Sequence, residues 1–195
     1  MRITVFGAAG RVGVEVVGEA LAAGHEVVAF VRDRTRVPDD GTVTVVEGDA
    51  SDLAAVRRAL EGADAVISVM GGRSLDPSTE LSDATASVVA GMQEHGPSRL
   101  VLLSHVGVLL KKVDPQYEHV VAEHRRNFEV VRASGLDWVA VCPPGIVASP
   151  GTGSVQTVVG SRAPEWTIPR GDLARFLVEQ VGSERFLHQA VGVSG

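Results

Sequence analysis

Six short runs of apolar, largely β-branched residues recur along the chain: RITVF (2–6), EVVAFV (26–31), TVTVVE (42–47), DAVISV (64–69), RLVLLS (99–104) and DWVAVC (137–142). Several are apolar almost throughout instead of alternating, the pattern of strands covered on both faces. Segments of helical period lie between them, at 11–23, 52–61, 78–95 and 117–134. In the last of these, Val120, Val121, Phe128 and Val131 carry the apolar stripe. The boundaries have local causes. Gly24 and Gly135 suit helix ends, Ser51 suits an N-cap, and Gly96-Pro97 is a strong stop. A fifth helix is predicted to open at Asp172 (DLARFLVEQV), and FLHQAVGV (186–193) to form a last strand at a sheet edge.

Strand and helix therefore alternate. That order predicts a doubly wound α/β fold, a parallel sheet with right-handed crossovers, in a single domain over residues 1–195. The stretch from Asp33 to Gly41, which contains Pro38, is too short for a full helix. Two segments break the alternation: 105–116 (HVGVLLKKVDPQ) and the Gly/Ser/Pro-rich 148–164 (ASPGTGSVQTVVGSRAP). Both leave the carboxyl ends of strands, where open α/β sheets bind their ligands, so both are expected to be active-site loops.

Charge and cysteine content narrow the class. With 24 Asp+Glu against 18 Lys+Arg the net charge is −6, which argues against nucleic acid or an anionic membrane as a partner. A single cysteine, Cys142, can make neither an internal disulfide nor a structural zinc site. The N-terminal segment has no signal-peptide pattern, and no stretch reaches the roughly 18 apolar residues of a membrane helix. A cytoplasmic protein is expected.

Against that acidic background, one turn and one basic cluster stand out. VFGAAGRVG places Gly7, Ala9, Gly10, Arg11, Val12 and Gly13 where the first strand hands over to the first helix. In this context Gly7 permits the tight turn, Gly10 lets backbone approach a phosphate, and Gly13 lets helix pack on strand. Amides at the helix start favour an anion. Roughly 20 residues on, the position that reads the adenosine ribose holds FVRDRTR (30–36). A site selective for NAD would put a carboxylate at the strand end; this chain puts Arg32 there, then Asp33. A guanidinium suits a 2′-phosphate. Arg36 is placed to close on the same phosphate or stack on adenine, and Arg34 to face water. The expected cofactor is NADPH. Asp49 in EGDASD (47–52) is placed either to accept from the adenine amino group, beside Ala50, or to serve as a turn residue.

Several chemistries are missing. There is no G-x-S-x-G elbow and no H-E-x-x-H. His119 and His124 are five residues apart, about 140° around a helix, so no metal face is predicted. Tyr117 is the one tyrosine, and Val121 stands four residues later, so no Tyr-x-x-x-Lys acid can be formed. Ser104, at the end of the fifth run, remains as a donor to a carbonyl or carboxamide, or as a hydroxyl satisfied by backbone. Pro143-Pro144 would make a rigid apolar wall. Cys142 is expected to pack. His105 and His124 are candidate acids or structural residues.

Together, GAAGRVG, VRD-x-x-R, GDA, GGR, the strand-five serine, H-x(10)-GL-x-W-V, the Pro-Pro turn and IPRGDLA resemble the NAD(P)H-binding atypical short-chain dehydrogenases. The flavin reductase/biliverdin-IXβ reductase type is the nearest in pattern, nearly end to end. The resemblance implies one Rossmann domain that binds NADPH and passes hydride to a flavin, quinone or similar planar acceptor. It implies that Gly7, Gly10, Arg11, Val12 and Gly13 hold the pyrophosphate, and that Arg32 and Arg36 hold the 2′-phosphate. Asp49 and Ala50 would hold adenine, and Met70, Gly71 and Arg73 would lie along ribose and phosphates. Ser104, Cys142, Pro143 and Pro144 would surround the nicotinamide, with Ser104 the catalytic contact. The family pattern has a histidine after the two prolines where this chain has Gly145, which leaves the acceptor open. The alternative is a non-catalytic NADP(H) sensor. A monomer without bound metal is expected.

Overall fold

The computed structural model describes residues 1–37, 41–72, 75–149 and 151–195; Pro38, Arg73 and Pro150, all singled out above or lying in the second loop, fall outside the described residues. Six strands form where the apolar runs lie: β1 (Arg2–Phe6), β2 (Glu26–Val31), β3 (Thr44–Glu47), β4 (Ala65–Ser68), β5 (Arg99–Leu103) and β6 (Asp137–Cys142). Five helices alternate with them: α1 (Arg11–Ala22), α2 (Leu53–Leu60), α3 (Glu80–His95), α4 (Glu118–Arg132) and α5 (Arg170–Glu179). Three further strands, β7 (Gly145–Val147), β8 (Gln156–Val159) and β9 (Thr167–Pro169), precede α5, and β10 (Gln189–Ser194) follows it. The main sheet runs β3-β2-β1-β4-β5-β6-β10-β8, all parallel except the β8–β10 pair; β7 and β9 pair in parallel as a separate ribbon. It is a single Rossmann-like domain.

The sheet separates two cores. Ile3, Val5, Val27, Ala29 and Val31 pack with α1 and α5 on one side. Phe6, Val28, Phe30, Leu100 and Leu102 pack with α2, α3 and α4 on the other. Successive strand residues thus alternate between two buried faces, and this is why the runs read as continuously apolar.

Helices α3 and α4 run side by side in one register. Ser82 donates its amide to the Glu123 carboxylate at 2.7 Å, and Gln93 donates its side-chain amide to the Ser134 carbonyl at 2.7 Å. Both pairs are separated by 41 residues, so the helices are parallel and do not slip along their length. Glu123 is buried in this seam, and Arg126 completes its pairing at 2.7 Å. Asn127 and Thr85 are buried in the layer between the two bonded pairs.

Four expectations change. Asp52, not Ser51, caps α2, its carboxylate accepting from the Ala54 amide at 2.9 Å. β10 does not lie at an edge: β8, from within the Gly/Ser/Pro-rich segment, adds antiparallel to it and takes the edge. Helix α5 opens at Arg170, two residues before Asp172. The segment 105–116 is not a plain loop, since 3₁₀ turns form at Val106–Leu109 and Pro115–Tyr117. The 33–41 stretch does hold only one short 3₁₀ turn, Arg34–Arg36.

Candidate functional site

The glycine turn is built by close approach. Gly7 has φ 84°, and a β-carbon on it would stand 2.9 Å from the Val69 carbonyl oxygen at the end of β4. A β-carbon on Gly13 would fall 2.1 Å from the Gly7 oxygen and 2.7 Å from the Ala8 oxygen. Only hydrogen at position 13 lets α1 start this near β1. Gly10 is the N-cap and supplies no side-chain cap, so the first amides of α1 are left for an anion. Arg11 is exposed at the first helical position, while Val12 packs half-buried against the core beneath.

A cleft of about 630 Å³ opens over this turn, at the carboxyl ends of β1, β2 and β4. Gly7, Ala9 and Gly10 form its floor; Arg32, Arg36, Asp49, Ala50, Met70 and Gly71 form its walls. The Arg36 guanidinium reaches across to the Ala9 carbonyl at 3.3 Å, tying the basic segment to the glycine turn. Arg34 is exposed and does not line the cleft. Asp33 does line it, but its Oδ1 accepts from the Thr35 hydroxyl at 2.5 Å and amide at 3.0 Å. Those two bonds hold its carboxyl below the usual range and commit it to the turn. Asp49 is similarly committed through Oδ1 to the Ser51 amide and hydroxyl, which likewise lower its pKa. It is therefore a turn residue that also borders the cleft. Phe30 and, from the first turn of α3, Glu80, Leu81, Asp83 and Ala84 also line it, and sequence reasoning missed them. Their signal was positional: α3 begins beside the end of β4, so its first turn faces whatever binds over β1.

Further along the sheet, Ser104 follows β5 and Pro143-Pro144 follows β6. The Ser104 amide bonds the Val141 carbonyl at 2.8 Å, and the Val106 amide bonds the Pro143 carbonyl at 2.9 Å, so these segments are held side by side. The Ser104 hydroxyl is buried and bonds no nitrogen or oxygen among the described residues. Its backbone-satisfied alternative is thereby removed. Cys142 departs from the expected ring around the nicotinamide: its side chain is wholly buried, and that burial pushes its thiol up to about 12 despite the neighbouring Ser104 hydroxyl. It presents no surface to a ligand.

His105 and His124 stack, ring centroids 5.6 Å apart. His105 Nδ1 accepts from the Gly107 amide at 3.0 Å, so its proton sits on Nε2. His119 and His124, though far apart around the helix, both border a small cavity of about 170 Å³ between α3 and α4. No cluster of three or more His, Cys, Asp or Glu able to hold a metal occurs among the described residues. Burial, then the adjacent His105, pushes His124 down to about 4. The sign follows: between the ordinary value of 6.5 and about 4, the unfolded chain takes up a proton that the folded chain refuses. Stability is thus full above 6.5 and falls as pH drops toward 4. The expected loss is about 3 kcal/mol at most. Denaturant titrations from pH 7 to 4 should show it, and His124→Gln should flatten the profile. An unchanged profile in the variant would place the effect elsewhere.

No helix among the described residues is long and apolar enough to cross a membrane. A family model described as NAD(P)H-binding matches residues 7–184. The (4-alkanoyl-5-oxo-2,5-dihydrofuran-3-yl)methyl phosphate reductase of Streptomyces griseus is 34% identical over 209 residues, covering 99% of this chain and 67% of that protein. A Mycobacterium tuberculosis protein of unassigned function is 33% identical over 143 residues, 72% of this chain; the match spans 14% of that much longer protein. Among solved structures, the anaerobilin reductase ChuY of Escherichia coli O157:H7 superposes with TM-score 0.86 at 24% identity, covering 100% of this chain and 97% of that one. A short-chain dehydrogenase/reductase of Veillonella parvula, solved with NADP, superposes with TM-score 0.82 at 20% identity, covering 100% and 94%. The glycine cradle, the cleft above it and the near end-to-end match agree: the chain belongs to the NAD(P)H-binding family of Rossmann-fold proteins.

Proposed function

We propose that the protein is an NADPH-dependent reductase that transfers hydride to a planar, conjugated small molecule such as a flavin or quinone. The observation that carries the cofactor choice is at the end of β2. Arg32 and Arg36 border the cleft, and Asp33 between them accepts from Thr35 through Oδ1. A 2′-phosphate meets two guanidinium groups there, and the Thr35 bonds to Asp33 Oδ1 leave that carboxylate less able to accept from bare ribose hydroxyls. The fit of the rest of the cofactor rests on the turn, where glycines 7 and 13 leave room that any β-carbon would fill.

When bound, the reduced nicotinamide supplies a hydride to the acceptor. The chain's own part is binding and orientation. Ser104 brings a buried hydroxyl, beside the Cys142 thiol and without a nitrogen or oxygen partner among the described residues, to the ends of β5 and β6, the position from which it would donate to the carboxamide or to an acceptor carbonyl. Pro143 and Pro144 provide a stiff apolar wall. The Streptomyces relative, a reductase of a substituted dihydrofuranone phosphate, supports reduction of a small unsaturated compound. We take the protein to work as a cytoplasmic monomer on small acceptors, in keeping with its net charge of −6.

Titrating NADPH and NADH tests the cofactor assignment. Wild type should prefer NADPH, and Arg32→Ala should lose about 10–100-fold of that affinity with little change for NADH, the range of a charged hydrogen-bonded contact. Equal affinities in wild type would sink the assignment. Following NADPH absorbance with a panel of flavins and quinones then separates the reductase from a sensor, which binds without turnover.

A further inference from the structure

The most exposed large apolar side chain of the described residues is Trp166, 62% accessible. It does not stand on a loose tip. Its carbonyl accepts from the Gly145 amide at 3.1 Å, the preceding Glu165 amide donates to the Ser194 hydroxyl at 3.2 Å, and the following Thr167 carbonyl accepts from the Gly195 amide at 3.1 Å. Residues 165–167 are thus fixed from both the β7–β9 ribbon and the end of β10. The Arg162 guanidinium lies 4.1 Å from the centroid of the indole. Arg162 is held in turn by the Ala163 and Pro164 carbonyls, at 2.8 and 2.6 Å. No carboxylate pairs with it among the described residues. A cation–π contact at an exposed site is worth only about 0.5–1 kcal/mol, less than burying a tryptophan would return. Local packing therefore does not explain why the indole is held outward.

Its location does. Gly145 directly follows Pro143-Pro144, and Pro143 is bonded to the segment after Ser104. One backbone hydrogen bond separates the indole's residue from the end of the proposed reaction site. A β-carbon on Gly145 would come 3.2 Å from the Trp166 carbonyl, so glycine there lets the strand after the two prolines lie this close to the indole's residue. A fixed indole offers a flat face at low ordering cost, and the guanidinium behind it adds a positive charge that no carboxylate among the described residues neutralises.

We propose that Trp166 and Arg162 form a stacking platform at the rim of the reaction site, taking a flat conjugated acceptor that carries a phosphate or carboxylate. The proposal rests on the reductase reading for the word acceptor, but the binding it describes is separable from turnover. The open face of the indole stacks on the ring, and Arg162, over the opposite face, attracts an anionic group that reaches past the edge of the indole. Neutral flat rings stack without that second contact, so the site discriminates by charge.

FMN and riboflavin share a ring and differ by a phosphate, which makes them the probes. In wild type, KM for FMN should be about tenfold below that for riboflavin, the worth of one charge-assisted contact. Trp166→Ala should raise both by about tenfold, within the range of stacking on an aromatic side chain, with Kd for NADPH unchanged. Trp166→Phe should recover part of the loss, and Arg162→Lys should keep the FMN preference. Because Arg162 also braces its own loop, the intact protein supplies a second readout. Trp138 is buried, so acrylamide quenching reports Trp166, and bound FMN should protect it. Unaltered KM values in Trp166→Ala, or no protection of Trp166 by bound FMN, would overturn the platform. If wild type binds FMN through Trp166 by equilibrium dialysis yet never oxidises NADPH, the platform stands and the reductase reading falls. If neither flavin binds, the platform falls whatever other acceptor is reduced.

Discussion

Asp172→Ala is expected to lower stability by about 3–5 kcal/mol, the size of effect seen when one member of a buried ion pair is removed. Asp172 is fully buried in the first turn of α5. Its carboxylate accepts from the Thr152 amide at 2.6 Å, the Gly153 amide at 3.0 Å, the Thr152 hydroxyl at 3.1 Å and Arg175 at 2.8 Å. Burial pushes its carboxyl up, but these donors outweigh burial and hold it below the ordinary value. Arg175 can turn to water when its partner goes, whereas the two amides lose a partner for which the loop has no substitute. For a domain of this size, the loss corresponds to a fall of roughly 6–20 °C in Tm. Asp172→Asn, which keeps one oxygen, should lose less. The pH sign is that of a depressed carboxyl: the contribution is full above the ordinary value of 3.8 and vanishes as pH falls below it. Thermal unfolding of both variants at neutral pH checks this, and a Tm within about 2 °C of wild type for Asp172→Ala would show that the loop needs no anchor.

Gly13→Ala is the second large effect. The new β-carbon would sit 2.1 Å from the Gly7 oxygen, against a closest ordinary approach of 3.0 Å. The neighbouring atom is backbone of the turn that cradles the pyrophosphate, so α1 or the turn must shift by roughly an ångström. Such a displacement costs about 100-fold in binding or rate, and the overpacking itself about 1–3 kcal/mol of stability. NADH and NADPH should weaken together, since the phosphates common to both are affected. That pattern separates this variant from Arg32→Ala, which should act on NADPH alone. Calorimetric titration of both cofactors decides it; retained affinity would mean the turn is looser than its contacts indicate.

The parts of the molecule legible in the sequence are those whose pattern is local. β1 to β6 announce themselves because each is buried on two faces, and the glycine turn because its spacing, strand and helix lie within a dozen residues. β8 was hidden: QTVV sits in a polar, glycine-rich stretch and pairs on one side only, with a strand more than 30 residues later. The same blindness misplaced β10, whose neighbours depend on that pairing. Asp172 looked like a helix start, while its partners lie 19 and 20 residues upstream in space-filling contact that no period encodes. Asn127 falls seven residues after Val120 and four before Val131, along the apolar stripe of α4, but Glu123 stands at the flank of that stripe among charged residues, where its burial could not be read. At the site, Arg32 and the glycines were legible because chemistry fixed their positions. Trp166, the proposed platform, was not, because an exposed side chain leaves no period in the sequence.

The β7–β9 ribbon carries a consequence for how such a molecule can change. β7 and β9 pair in parallel, so the excursion from 148 to 166 leaves after Val147 at one end of a three-residue ribbon and returns at the other, where Thr167 pairs with Gly145. Its anchors, Asp172 and β10, lie outside the half of the sheet that cradles the dinucleotide. Closure of the excursion is already fixed by the ribbon, and lengthening it adds little entropy, about 0.6 kcal/mol per doubling. The segment is in effect a cassette: it can be exchanged for one of another length or surface, changing the molecule that is grasped, while the cofactor half keeps its sequence.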